Sequence, residues 1–310
     1  MKKVFIDGSA GTTGLRIYER LENRKDISLI KLSEENRKDV NARKAAINSA
    51  DIVFLCLPDD AARESVVLCE NPDTVILDTS TAHRTEKGWT YGFPELCENI
   101  SDDLSTAKRI AVPGCHASGF IALIYPLIKA DIISKEILLC CTSVTGYSGG
   151  GKKMIAQYED ENVDALLTSP RQYGLTQQHK HLKEMKAITG IDNAPAFSPI
   201  VSSFYSGMCV TIPIFKSQLK KGTTLEDIKN IYKVKYVGPI VNFVESADAD
   251  GFLSANALSG LDKMEISVFG NEEIILLAAR YDNLGKGASG AAVECMNISM
   301  GCCLAEGLNI

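Results

Sequence analysis

The sequence predicts an α/β protein of two domains, a parallel-sheet domain followed by an α+β domain whose sheet is mixed and rich in antiparallel pairs. Three observations carry this. Up to residue 112, short apolar strands alternate with helical patterns, which is the arrangement of a parallel sheet with helices on both faces. Beyond Cys115 the pattern changes to longer strands with less regular helices between them. The length, 310 residues with 45% hydrophobic, is enough for two domains with sizeable cores.

The elements follow in order. A strand at 4–6 runs into Asp7-Gly8-Ser9-Ala10-Gly11-Thr12-Thr13-Gly14, and Leu15, Ile17, Tyr18 and Leu21 then repeat at helical spacing. Strand, glycine-rich turn and helix place a pyrophosphate on a helix N-terminus, and glycine lets the backbone approach it. The spacing GxxGxxG also suits a tight structural turn. Gly8, Gly11, Thr12, Thr13 and Gly14 are the candidate contacts. The strand at 27–32 ends at Ser33, where an acidic residue would mark an NAD site. Ser33 with Arg37 and Lys38 nearby suits a 2′-phosphate, so NADP is the expected cofactor; the alternative is that both cations are simply solvated. Strands at 51–57 and 74–77 flank a helix at 61–69, and Ser80 and Arg84 follow the second strand. Arg84 is either an anion fork or a surface cation.

A strand at 109–112 stops at Pro113-Gly114, and Cys115 opens a helical pattern through Phe120, Ile124 and Leu127. A thiol at a helix N-terminus meets unpaired N–H groups and the positive end of the dipole, which favour the thiolate. Cys115 is therefore a candidate nucleophile, or else a buried structural cysteine. The expected strand 136–145 leads into a glycine run, 146–151, read as a flexible loop whose N–H groups, with Ser148 and Lys152, suit an anion or serve as a linker. Arg171 follows, then His179-Lys180-His181, which holds two of the four histidines and suits proton transfer better than metal binding. Strands at 206–214, 265–269 and 274–279 precede Asp282-Asn283-Leu284-Gly285-Lys286-Gly287 and a closing helix.

The formal net charge of −6 and the lack of a basic run argue against a nucleic-acid partner. No apolar run reaches the roughly 18 residues of a membrane span. The N-terminus enters a strand directly, without a signal-peptide pattern, so a cytoplasmic location is expected. The ten cysteines are scattered and form no CxxC pair, so neither a zinc site nor a disulfide framework is expected.

Several of these stretches together resemble one family: Gly8–Gly14, Asp78–Arg84, Tyr91-Gly92-Phe93-Pro94-Glu95-Leu96, Pro113-Gly114-Cys115, His179–Glu184 and Asp282–Gly290. Over nearly the whole chain they are similar to the N-acetyl-gamma-glutamyl-phosphate reductases of the arginine pathway, in their shorter form. The longer form has Tyr-Pro-Thr after the cysteine and Asp-Phe-Arg where this chain has Ala82-His83-Arg84. The resemblance implies a Rossmann-type NADP domain at 1–114 plus 286–310, and a catalytic and oligomerisation domain at 115–285. It implies an acyl-phosphate substrate, a thioester on Cys115, proton transfer by His181 or His179, and a homo-oligomer, dimer or tetramer. Asn283, Gly285 and Lys286 match the family's cofactor loop, while Ser80, Arg84, Ser148, Lys152 and Arg171 are candidate substrate contacts. The rival expectations are an aspartyl-phosphate reductase and a non-catalytic NADP-binding redox sensor.

Overall fold

The structure, a computed structural model, describes residues 1–310 apart from the side chain of Glu98. The chain divides into two compact units, residues 1–114 with 288–309, and residues 115–287.

The first unit is built on β1 (Lys2–Asp7), α1 (Thr12–Leu21), β2 (Ile27–Ile30), α2 (Val40–Ser49), β3 (Ile52–Leu55), α3 (Asp59–Leu68), β4 (Val75–Asp78), β5 (Thr90–Tyr91), α4 (Glu98–Thr106) and β6 (Arg109–Ala111). The strands form one sheet in the order β2-β1-β3-β4-β6-β5, every pair parallel. Such a sheet is buried on both faces, so its strands read as unbroken apolar runs. In β1, Val4 and Ile6 pack with Ile17 and Leu21 of α1, Leu104 of α4 and Val293 of the last helix, Gly290–Met300. Phe5, between them, packs on the opposite face with Ile47 of α2 and Ala62 of α3. The strand order reverses between β1 and β3, and sheets of this kind bind ligands at the carboxyl ends of the strands beside that reversal.

The second unit comprises α5 (Cys115–Lys129), β7 (Cys140–Gly146), α6 (Gly151–Tyr158), β8 (Arg171–Gln172), α7 (His181–Thr189), β9 (Ala196–Ser202), β10 (Met208–Phe215), α8 (Leu225–Lys235), β11 (Val241–Phe243), β12 (Met264–Gly270) and β13 (Ile274–Tyr281). Its sheet runs β11-β12-β13-β10-β7-β9-β8. The pairs β11·β12 and β7·β9 are parallel and the rest antiparallel. Helix α5 packs on β10 and β13, and α7 and α8 pack beside it. Pro126 interrupts α5; it lacks an N–H, and the carbonyl four residues back, on Ala122, loses its helical donor. The Tyr236 hydroxyl donates to that carbonyl at 2.7 Å, and the Tyr232 hydroxyl donates to the next, on Leu123.

Two expectations are corrected here. The strand expected from residue 136 begins only at Cys140. Its partner β9 starts at Ala196, whose N–H donates to the Leu139 carbonyl at 2.8 Å, and the ladder does not extend further back. The Ile137 N–H turns back to the Ser134 carbonyl at 3.3 Å. The glycine run is not a flexible loop: Tyr147–Gly150 forms a 3₁₀ turn and α6 follows. The N–H groups of Gly146, Tyr147 and Ser148 donate to the carbonyls of Gly207, Phe204 and Tyr205 at 2.9–3.0 Å, so they are not left for an anion.

Candidate active site

Cys115 is the first residue of α5 and its side chain is half-buried. The first-turn N–H groups of a helix have no intrahelical acceptor, and they converge with the dipole at this end. Two contacts fix the turn. The Tyr281 hydroxyl, at the end of β13, donates to the Cys115 carbonyl at 2.5 Å and accepts from the Gly119 N–H at 3.1 Å. Gly287 lies alongside: a Cβ there would stand 3.1 Å from the Cys115 Cβ and 3.0 Å from the Asp282 carbonyl.

Three of the four histidines gather in this unit. The His116 ring lies 5.5 Å from that of His179 and 5.7 Å from that of His181, and the last two are 4.8 Å apart. They meet because His181 opens α7 while His179 lies in the turn before it, and α7 packs against α5. The His181 N–H donates to His179 Nδ1 at 3.2 Å. In the neutral ring of His179 the proton therefore sits on Nε2. Burial, and after it the charge of Lys180, lowers the pKa of His179. Among the described residues, no group of three or more His, Cys, Asp or Glu side chains is arranged to hold a metal ion.

The first unit holds a separate cavity of about 510 Å³, beside the reversal of strand order. Gly8, Ser9 and Ala10 line one part, and Leu32, Glu34, Arg37 and Lys38 another. Gly8 has φ +89°, and a Cβ on it would stand 2.3 Å from the Cys56 carbonyl oxygen. A Cβ on Gly14 would stand 2.4 Å from the Gly8 carbonyl oxygen, so the turn sits tight on the strand ends. Gly11 precedes α1 without a side-chain cap, which leaves the helix N-terminus to other acceptors. These residues fit a dinucleotide: close-approach glycines for its pyrophosphate and cations at the far wall. At the end of β4 the buried Asp78 carboxylate accepts from the Ser80 N–H and hydroxyl at 2.9 and 2.7 Å and lies 2.6 Å from His83 Nδ1. His83 stacks on Trp89.

Comparison with known proteins decides the family. Residues 3–103 match the family model described as semialdehyde dehydrogenase, NAD binding domain, and residues 115–283 match semialdehyde dehydrogenase, dimerisation domain. The N-acetyl-gamma-glutamyl-phosphate reductase of Allorhizobium ampelinum is 45% identical over 305 residues, covering 96% of this chain and 98% of that protein. N-acetyl-gamma-glutamyl-phosphate reductase 2 of a Nostoc species is 43% identical over 313 residues, covering 96% and 97%. The chain belongs to the N-acetyl-gamma-glutamyl-phosphate reductase family. The fold extends to more distant proteins. Aspartate semialdehyde dehydrogenase II of Vibrio cholerae, complexed with ASA, has a TM-score of 0.71 at 14% identity, covering 97% of this chain and 98% of that one. The aspartate semialdehyde dehydrogenase of Francisella tularensis has a TM-score of 0.72 at 16%, covering 96% and 99%. At such identities the likeness is one of fold.

For a member of this reductase family, the residues singled out by sequence fall into distinct settings. Gly8 and Arg37 line the cavity, where Arg37 pairs with Glu34 at 3.0 Å; Ser33 lies in the same turn and its carbonyl accepts the N–H groups of Asn36 and Arg37. Arg84 is buried and donates to the carbonyls of Val112 and Thr79 at 2.9 Å, bracing the approach to Pro113. Ser148 is buried and accepts from Asn283 Nδ2 at 2.9 Å, while Asn283 Oδ1 accepts the Gly207 N–H at 2.9 Å. Gly285 and Lys286 lie in a π-helical turn, Gly285–Ser289, and Lys286 is buried. Lys152 is exposed on α6, and Arg171 donates to the Tyr158 hydroxyl at 3.0 Å.

Sequence reasoning missed His116, Ser143, Tyr173 and Tyr281 in the second unit. It also missed Arg43 in the first, which lines the cavity and forms a buried pair with Asp7 at 3.1 Å. The position of His116 directly after Cys115 was a usable signal; the others are brought in by tertiary packing.

Proposed function

We propose that this protein is an NADPH-dependent N-acetyl-gamma-glutamyl-phosphate reductase. It converts N-acetyl-L-glutamyl 5-phosphate to the 5-semialdehyde and phosphate, a step of arginine biosynthesis, as a cytoplasmic enzyme. The observation that carries this reading is the gathering of His179 and His181 around the residue after Cys115, at the first turn of α5.

The thiolate of Cys115 attacks the acyl carbon, and the bond to the phosphate oxygen breaks with its electron pair, leaving a thioester. His181, with His179 beside it, moves the proton between the thiol and the departing group. His179 exchanges protons through Nε2, because Nδ1 accepts the His181 N–H. Main-chain N–H groups at the head of α5 stabilise the oxyanion, each such donor being worth about 3 kcal/mol. Bound NADPH supplies the hydride that reduces the acyl carbon. Cys115 then leaves as a thiolate, releasing the aldehyde and restoring the starting site.

The cavity of the first unit is the proposed NADP site, with Gly8 to Gly14 at the pyrophosphate and Ser33 and Arg37 toward the 2′-phosphate. Asn283, Gly285 and Lys286 are proposed at the nicotinamide end. Ser80, Arg84, Ser148, Lys152 and Arg171 remain the proposed substrate contacts, with Arg84 and Ser148 acting chiefly by bracing the site. The second unit is proposed to form the oligomer. The sheet face away from α5 leaves Cys140, Ile274 and Phe215 exposed and Val144, Ile200, Pro213 and Leu276 only partly covered, an apolar surface suited to a second copy.

The test is the reverse reaction. NADP⁺ reduction with N-acetylglutamate 5-semialdehyde and phosphate is expected, and none with aspartate semialdehyde and phosphate. Turnover of the aspartyl compound alone would overturn the substrate assignment.

A further inference from the structure

His83 is a buried titratable group to which the reaction above gives no task. Its ring is 6% exposed and is held on two sides. Trp89 stacks on one face, with ring centroids 4.1 Å apart and planes 11° from parallel. Nδ1 lies 2.6 Å from Asp78 Oδ2, on a fully buried carboxylate that also accepts the Ser80 N–H at 2.9 Å and the Ser80 hydroxyl at 2.7 Å. A carboxylate only accepts, so Nδ1 carries a hydrogen and donates it. Nε2, which has no partner among the described residues, is the open edge of the ring. His116 differs: its Nδ1 is 2.7 Å from Ser143 Oγ and its Nε2 2.6 Å from the Tyr173 hydroxyl, so both nitrogens are engaged. The Ser80 hydroxyl is engaged too, donating to Asp78 and accepting the Ala82 N–H at 3.1 Å.

The pair stands at the carboxyl end of a parallel strand, where sheets of this kind take their ligands. The Asp78 carbonyl accepts the Val112 N–H at 2.8 Å, and Arg84, next to His83, donates to the Val112 carbonyl at 2.9 Å. Val112 leads through Pro113-Gly114 to Cys115, so Asp78 and His83 are built on the ladder that runs into the proposed nucleophile. The other charged or titratable groups on the surrounding elements are Asp59 and Arg63 on α3, which bond Thr81 and the Ala82 carbonyl, the Cys56 thiol after β3, and Arg84 and Glu86 in the same segment. A carboxylate behind Nδ1 stabilises the ring when Nε2 takes up a proton. A protonated Nε2 is a charge-assisted donor, which suits an anion.

We infer that His83 is a phosphoryl-binding residue: Nε2–H donates to an oxygen of the acyl phosphate, and of the inorganic phosphate that the reaction releases, while Asp78 balances the charge of the ring. The inference rests on the proposed reaction and names a further contact for its phosphate. Trp89 and Asp78 fix the ring beforehand, so little side-chain freedom is lost when the anion binds.

The test is nitrogen NMR of the full chain labelled at histidine, where only four rings have to be resolved. The signals of His83 are assigned from their proximity to the Trp89 indole. Titration with inorganic phosphate near neutral pH, with and without NADP⁺, should move the Nε2 signal of His83 toward that of an imidazolium and leave Nδ1 hydrogen-bonded. Equilibrium dialysis with labelled phosphate should show binding about ten-fold weaker in His83→Phe, as expected for losing a hydrogen bond to a charged group. Phenylalanine can keep the stack on Trp89 but has no nitrogen. His83→Gln should recover part of the affinity, since its amide still donates. The spectrum is read on the unaltered chain, so it decides the matter even if a variant fails to fold. An Nε2 signal that phosphate leaves unmoved would overturn the inference, and so would one that moves with NADP⁺ alone and no further with phosphate. Neither measurement needs turnover. A phosphate-induced shift in a chain without reductase activity would refute the proposed function alone; an unmoved His83 signal in an active enzyme would refute this inference alone.

Discussion

The Tyr281 hydroxyl is joined to the Cys115 backbone: it donates to the Cys115 carbonyl at 2.5 Å while accepting the Gly119 N–H at 3.1 Å. One side chain at the end of β13 thereby fixes the turn that presents the sulfur. Tyr281→Phe should cost about 1–2 kcal/mol in stability, the usual loss when buried partners are left unsatisfied. Gly119→Ala should cost more, because its Cβ would stand 2.7 Å from the Tyr281 oxygen and 2.7 Å from Val210 Cγ2. Denaturant unfolding and kcat measure both effects, and kcat should fall in each variant because Cys115 is displaced.

Pro126 and Tyr236 form a second coupled pair. Tyr236→Phe should destabilise the protein by about 1–3 kcal/mol, since the Ala122 carbonyl then lacks a donor. In a Pro126→Ala background the helix supplies its own N–H, so the same change should cost clearly less. Equal costs in the two backgrounds would show that the tyrosine does not compensate for the proline. The readout is a double-mutant cycle by chemical denaturation.

Much of the fold was legible in the sequence because parallel strands buried on both faces leave a simple local signature. The run through Val4 and Ile6, the glycine turn and the periodic α1 were all readable. Cys115 could be placed at a helix start because Pro113-Gly114 ends one pattern and an apolar helix begins another. Residues 136–139 were as apolar as β7, but strand pairing depends on a partner more than 50 residues away, and that partner starts only at Ala196. The glycine run looked unstructured because its ordering comes from carbonyls at 204–207. Ser143 and Tyr173 carry no local mark of their contact with His116. That contact exists only once β7 and the segment after β8 are laid against α5.

Stability should fall as the pH drops through the range below 6.5. The folded-state pKa of His116 lies near 3, below the ordinary value of 6.5, and His179 is lowered too. The unfolded chain therefore takes up protons that the folded chain refuses, and stability present above pH 6.5 is lost progressively toward pH 3. Each such proton contributes a slope of about 1.4 kcal/mol per pH unit. Unfolding free energies between pH 4.5 and 6.5 should show it, and His116→Gln should flatten it. The carboxylates with lowered pKa, Asp26, Asp51, Glu136, Asp227 and Glu245, act in the same direction but only below about pH 4.5.

In the cavity of the first unit, Arg37→Ala should weaken NADPH binding about ten-fold and leave NADH binding nearly unchanged, because only NADPH carries the 2′-phosphate. Fluorescence titration with both cofactors checks it. Equal weakening of both would move Arg37 away from that phosphate.

The central claim is that Cys115 carries the acyl group. Incubating the protein with N-acetylglutamyl 5-phosphate in the absence of NADPH, then mapping adducts by mass spectrometry, tests it most directly. The account predicts phosphate release and an N-acetylglutamyl mass on the peptide containing Cys115, absent in Cys115→Ser. An acyl group on a different residue, or phosphate release equal in the two proteins, would contradict it.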